Sequence, residues 1–514
     1  MISSLKIFLG DLSMKKQITS AVLALALILT GCSQGANDSK TDRTQYKANI
    51  KVGTVEKAGD LLTVEGEEEI TFKNYSKDTW DNIVLRDYNP SNLAEEKANA
   101  DGEYHTAITG ITQDGKDILF HEEQDPSVVT ITLANAVKPG KTGKVSVKFS
   151  MKVPKGACRQ SYSFVDKDSD KPEDIVIALG PFLPTLPVYE NGGWAKDPYF
   201  SSGECFYTKC ADYDVHMEVP EGYEACATGS EKRNDDGSFD FKATNVRDFS
   251  ILTGKNLAYF EENVDGVSVK VWYYENNEAT QKTAKDDMLP AAVNSLKVYN
   301  DYFGKYAYED LDVVICSYAY GGMESPAFVR INDDFAYPNT DMNEDQRHHH
   351  LVESLVHEIG HEWFYSAIGN DQYNEAWLDE AFATLAAQIY FDKTGDGGHD
   401  TESTANSWKN AWISAKSLKI DLSYAEIDKH SSAELPTEYC YTFTVYSGGA
   451  SFLCELQKAM GEDDFKALLQ EWYSTNLNKE VTTKQFLELV VKKAGKEKVN
   501  DLLTKYFSPE NIPA

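Results

Sequence analysis

The stretch "LVESLVHEIGHEWF", residues 351–364, decides how this chain is read. Leu351, Val352, Leu355, Val356 and Ile359 recur at the three- and four-residue spacing of an amphipathic helix. On that helix His357 and His361 stand one turn apart on one face. Two imidazoles so placed can both reach a single Zn²⁺, each at about 2.0–2.1 Å. Glu358 adjoins the first of them. It is offset too far to ligate but can reach a water beside the ion, which makes it the candidate general base. A catalytic zinc needs a third protein ligand and an open position. Glu380, with 18 residues between it and His361, lies in "NEAWLDEAFATLAAQIYF". Its neighbours Ala376, Trp377, Leu378, Ala381 and Phe382 are apolar. A carboxylate buried among them is costly unless it is paired or binds a metal.

Five of the 10 histidines fall between His348 and His361. His350 shares the face of His357 but lies two turns away, about 10 Å along the axis, so it cannot share the ion. His348, His349 and His350 are expected to form the exposed start of the helix.

Outward from this helix the chain divides by texture. Residues 48–260 read as β: "LLTVEGEEEITFKN", "SVVTITLANAV" and "KVSVKFSMKVP" alternate or are rich in β-branched residues. "KPGKTGK", "NGGWAKDP" and "PEGYEACATGS" read as breaks between strands. Residues 261–514 begin with the strands "VSVKVWYY" and "LDVVICSY" around the helix "AAVNSLKVYNDYFG" and are mostly helical after Glu344. The expected class is α+β and multidomain: an antiparallel β-sandwich or saddle, then a mainly helical domain with a small sheet.

The first 47 residues read as processing signals. From Met14, Lys15 and Lys16 precede the apolar run Ala21 to Leu29, too short to span a bilayer. It ends in Leu29-Thr30-Gly31-Cys32, which resembles a bacterial lipoprotein box with Cys32 as the lipidated residue. The expectation is a signal over 1–31, a polar tether over 32–47, export, and a lipid anchor on the extracytoplasmic face of the membrane. The other seven cysteines are an odd number, with no second close pair beside Cys205 and Cys210 to make a zinc knuckle. The formal net charge of −32 excludes nucleic acid as a partner, because phosphate would be repelled.

With HEIGH, the 18-residue gap and the glutamate of "WLDEAFA", the chain resembles the aminopeptidase N family of zinc metallopeptidases, gluzincins with a thermolysin-like catalytic domain. "YFGKYAYEDLDVV", "GGMESP" and "VYSGGASFLCEL" resemble further family segments, and "WFYSAIGNDQYNEAWLDEAFAT" is similar to the compact bacterial branch. The resemblance implies that His357, His361 and Glu380 hold one zinc per chain and that Glu358 is the base. It implies that Tyr446 donates to the oxyanion, rather than the nearby Tyr439 or Tyr441. It also implies that Gly322, Met323 and Glu324 bind a peptide, with Glu324 on its free α-amine. Ser325 stands where the family has Asn, which is expected to loosen that site. A second amine-binding group is expected near "FLPTLPVYENGGW". Only 68 residues follow Tyr446, so a more open cleft than in larger members is expected. The activity implied is removal of N-terminal residues from peptides. The alternatives are a zinc endopeptidase using the open cleft and a non-catalytic peptide-binding lipoprotein.

Overall fold

The computed structural model describes residues 42–96, 104–165, 169, 171, 174–201, 203–338, 342–396, 401–417, 426–435 and 437–514. The leader, Cys32 and most of the tether lie outside these residues. The last residues read as tether belong to strand Thr44–Val52. Alternation begins there because Tyr46 is a core residue: its ring stacks on Tyr213 at 4.7 Å and its hydroxyl accepts from the Leu186 amide.

An eight-stranded sheet runs in the order Ser230–Arg233, Phe239–Val246, Ala211–Glu218, Thr44–Val52, Leu62–Lys73, Thr142–Val153, Ile108–Gln113, Lys116–Asp117. Neighbours are antiparallel except Thr44–Val52 and Ala211–Glu218, which run parallel. Along Thr44–Val52, Thr142–Val153 and Ala211–Glu218 buried residues alternate with more exposed ones, the period-2 pattern of a sheet with one dry face. That face shares its core with a three-stranded sheet carrying Ile83, Leu85 and Val129 and a four-stranded sheet carrying Ile175, Ile177 and Ile251. "EACA", inside a segment read as a break, is a strand of the latter, Glu224–Ala227, because its alanines and Cys226 are buried. Glu68 also faces inward. It is 1% exposed, and its carboxylate oxygens have no hydrogen-bond partner among the described residues. Burial, and then the charge of Asp87, holds its carboxyl well above the usual range.

A five-stranded sheet follows, in the order Leu257–Val264, Val267–Tyr274, Asp310–Cys316, Phe328–Asn332, Gly322–Met323. The boundary expected at residue 260 falls inside its first strand, which is paired along its whole length with the second. One face buries Trp272, Tyr274, Val314, Cys316 and Phe328 against Val176 and Leu252 of the four-stranded sheet. The other packs Val269, Val271, Val313, Ile315, Val329 and Ile331 on the helices Leu289–Tyr302, Glu344–Gly360 and Trp377–Thr394. Residues Thr44–Ala514 therefore form one compact unit. Helices Gly449–Met460, Glu462–Asn476, Thr483–Ala494 and Lys496–Tyr506 extend the same core. Cys158, Cys205, Cys226, Cys316, Cys440 and Cys454 are buried thiols outside any disulfide. No helix among the described residues is long and apolar enough to cross a membrane.

Candidate active site

Helix Glu344–Gly360 starts from a reciprocal cap in which Asn343 and Gln346 satisfy each other's backbone amides. It carries His357 and His361 at its C-terminal end. The next helix, Trp377–Thr394, crosses close by at Gly360, where a Cβ would stand 3.0 Å from that of Ala386. That approach brings Glu380 onto the histidines. His357 Nε2 and His361 Nε2 are 3.2 Å apart, and Glu380 Oε2 lies 3.2 Å from the first and 3.3 Å from the second. Two ligands on one tetrahedral zinc at about 2.0–2.1 Å lie about 3.3–3.4 Å apart, so the three donor atoms have the right spacing for one ion. His361 Nδ1 donates to the Phe364 carbonyl at 3.1 Å, which fixes the ring with Nε2 turned to the centre.

Glu358 is buried beneath the edge strand Gly322–Met323. A Cβ on Gly322 would stand 2.5 Å from Glu358 Cγ, so only glycine allows this approach. Glu324 follows that strand, is 4% exposed, and has a carboxylate oxygen within 4.8 Å of donor atoms of Glu358 and His361. Gln372 Nε2 donates to Glu324 at 3.4 Å and to Asp379 at 2.9 Å. Ser325, expected to loosen the site, is buried, and its Oγ lies 2.7 Å from Ser250 Oγ. The shorter side chain thus reaches a partner in the β half. Asp248 accepts from the Tyr365 hydroxyl, and Arg247 Nε donates to the Tyr365 carbonyl at 2.7 Å. Tyr365 has φ 110°, a strained turn straight after the motif, held from the β half.

The β half supplies another carboxylate, but not from "FLPTLPVYENGGW". It is Glu204, ten residues beyond Trp194, which lines the cavity. Arg159 Nη2 donates to it at 2.8 Å and to the Gly203 carbonyl at 2.9 Å. Nothing local marks "GECF" as functional: Gly203, Cys205 and Phe206 read as packing. Glu204 and Arg159 are residues that sequence reasoning missed.

Of the three tyrosines, Tyr439 is exposed and Tyr441 packs edge-on against Phe200. Tyr446 reaches the centre: its ring stacks on His357, and its hydroxyl donates to Glu380 Oε1. It sits in the π-helical turn Thr442–Gly448, a distortion common at functional sites. Of the histidine triplet only His350 is exposed. The helix begins four residues earlier than His348, whose ring is held between Asp287 at 3.0 Å and Asp396 at 3.5 Å.

The electrostatics fit a divalent cation. Burial, with the charges of Glu380 and Glu204, pushes Glu358 up to about 8. Burial and the charge of Glu380 push Glu204 and Asp379 each up to about 7. Burial also holds Glu324 well above the carboxylate range. For Glu380 burial opposes ionisation, but bonds to His357 and His361 outweigh it and hold the carboxyl low. A site that crowds acids around two imidazoles is the environment in which a cation relieves repulsion.

An HExxH helix, a glutamate brought in by the next helix and a sheet edge strand above them have the arrangement expected of a gluzincin metallopeptidase centre. Comparison with known proteins points to the same class. Residues 288–506 match the peptidase family M1 domain. Aminopeptidase M1-B of Oryza sativa subsp. japonica is 23% identical over 258 residues, 49% of this chain and 28% of the relative. Probable aminopeptidase 2 of Sulfurisphaera tokodaii is 24% identical over 228 residues, 42% of this chain and 28% of the relative. The match thus spans little more than a quarter of these relatives. The M1 zinc metallopeptidase of Deinococcus radiodurans superposes with a TM-score of 0.61 at 16% identity, covering 92% of this chain and 96% of that one. A mutant of an M1 zinc metallopeptidase from the same organism, solved with a Tyr-Ser-Ala substrate, gives 0.62 at 17% identity, with the same coverage. The two-layer fold, β half and catalytic half, is common to both.

Proposed function

We propose that this chain is a zinc-dependent aminopeptidase that releases N-terminal residues from peptides. The observation that carries this reading is that Glu324, which is buried, and Glu204, whose side chain is 12% exposed, come from different halves of the chain and line one cavity with Glu358 and His361. Such a pair complements an α-ammonium group and sets the register, so that the first peptide bond meets the centre.

His357, His361 and Glu380 would hold one zinc per chain, which when bound polarises a carbonyl and makes water acidic enough to attack near neutral pH. Glu358 takes the proton from the attacking water and passes it to the leaving amine. The Gly322–Met323 strand offers its free edge to an extended peptide. Tyr446, already beside Glu380, donates to the substrate oxygen as charge builds there. Arg159 fixes Glu204, and the Ser250–Ser325 hydrogen bond fixes the loop that carries Glu324.

The deciding experiment is mass spectrometry of a ten-residue peptide, free and N-acetylated, after incubation with the enzyme. Successive single-residue losses from the free peptide alone are expected. Internal cuts in both forms would assign an endopeptidase, and no cut in either a peptide-binding protein.

We also propose export and lipid anchoring at Cys32, supported by the Leu29–Cys32 box and the preceding signal-like segment. Wild-type protein should fractionate with membranes and Cys32→Ala should not.

A further inference from the structure

Glu353 is left without a role by the chemistry above, yet it lines the same cavity. It lies four residues before His357, hence on the same helix face and about 6 Å along the axis towards the N-terminus. Glu324 clusters with Glu358 and His361, at the opposite end of this row. The cavity lining continues from there past His357 to Ser354 and Glu353, a path along which a peptide held by its amine can run. One extended residue advances about 3.5 Å, and a four-carbon side chain covers the remaining distance.

Charge singles out the same residue. Among the described residues the cavity is lined by five carboxylates, Glu204, Glu324, Glu353, Glu358 and Glu380, and one guanidinium, Arg159. Arg159 is spent on Glu204. A divalent ion and a substrate α-ammonium bring three further positive charges, four against five. Glu380 belongs to the ion, Glu324 to the amine, and Glu358 to the water. The carboxylate left over is Glu353, whose side chain is 45% exposed and whose contacts in its own helix are His350 at 3.6 Å and His349 at 4.0 Å. Trp408 also lines the cavity and offers an aromatic surface to an aliphatic stem or a cation.

We propose that Glu353 is a specificity-determining residue that favours Lys or Arg directly after the scissile bond. This rests on the aminopeptidase reading. The test compares release of N-terminal alanine from Ala-Lys-Ala, Ala-Ala-Ala and Ala-Glu-Ala by the zinc-loaded full chain. Wild type should prefer the lysine peptide over the glutamate peptide by about tenfold in kcat/KM. Glu353→Gln should bring the ratio within about twofold, and Glu353→Lys should invert it. Because each ratio is taken on one preparation, partial loss of folded enzyme cancels. A wild-type ratio near one, or a ratio unchanged in Glu353→Gln, overturns the assignment. If wild type hydrolyses none of the three, the aminopeptidase reading falls and this inference with it.

Discussion

At Gly322 a single missing Cβ decides whether the base can reach its place. Glu358 Cγ lies where a Cβ would put 2.5 Å of contact, against backbone that is paired with Ile331 and cannot retreat. Gly322→Ala should therefore push the carboxylate aside. A misplacement of about 1 Å costs roughly 100-fold in turnover. Zinc content, measured by atomic emission, should stay at one per chain, because none of the three ligands moves. Glu358→Gln should likewise keep the metal and lose about 10²–10⁴-fold in kcat, the usual worth of a positioned base. His361→Ala should lose the metal itself. Full activity in Glu358→Gln would remove the base from the mechanism. Loss of zinc in Gly322→Ala would mean that the strand supports the ligands rather than the base.

The elements matter through the places where they depart from regular geometry. Tyr446 is delivered by a π turn, which carries its ring over His357 while the flanking residues stay packed. Two roles are open to its hydroxyl: holding Glu380, its present partner, or donating to the substrate oxygen. Tyr446→Phe separates them. The oxyanion role predicts a fall of about 10²–10³-fold in kcat per bound zinc with little change in KM. A merely supporting role predicts lower zinc occupancy with normal turnover per zinc. The strained Tyr365 turn is a second such element. It follows the motif helix and is clamped by Arg247 and Asp248, so the β half bears directly on the segment between the two helices of the site.

Across the whole molecule, buried acids make stability depend on pH, and the β half holds one of them. Glu68 is buried in its core with no hydrogen-bond partner among the described residues, so the folded state favours the neutral acid. Its folded pKa is raised above the unfolded value of about 4.3. The contribution to stability is therefore fully present below that value and is lost as pH rises through the folded pKa. Between the two, each pH unit costs about 1.4 kcal/mol. Glu68→Gln mimics the neutral acid at every pH. Its melting temperature should match wild type near pH 4.5 and exceed it increasingly towards pH 8. A constant offset between the two curves would show that Glu68 is not the titrating group.

His357, Glu358 and His361 were legible in the sequence because their relation is local: helical period alone puts two imidazoles on one face with a carboxylate beside them. Glu380 was legible because an acid in an apolar run is conspicuous, and the strands of the β half because alternation is written residue by residue. Other features come from chain segments far apart, and no local pattern records them. Glu204 stands 154 residues before Glu358 and reads as packing until the fold sets it against Arg159 in the cavity that His357, His361 and Glu380 also line. Ser325, which reads as a loosened site, is hydrogen-bonded to Ser250 because the five-stranded sheet is packed on the four-stranded one. The two candidate imidazole ligands follow from the short-range geometry of one helix. The acidic cleft lined by Glu204 and Glu324 exists only once two halves of the chain bury their surfaces on each other.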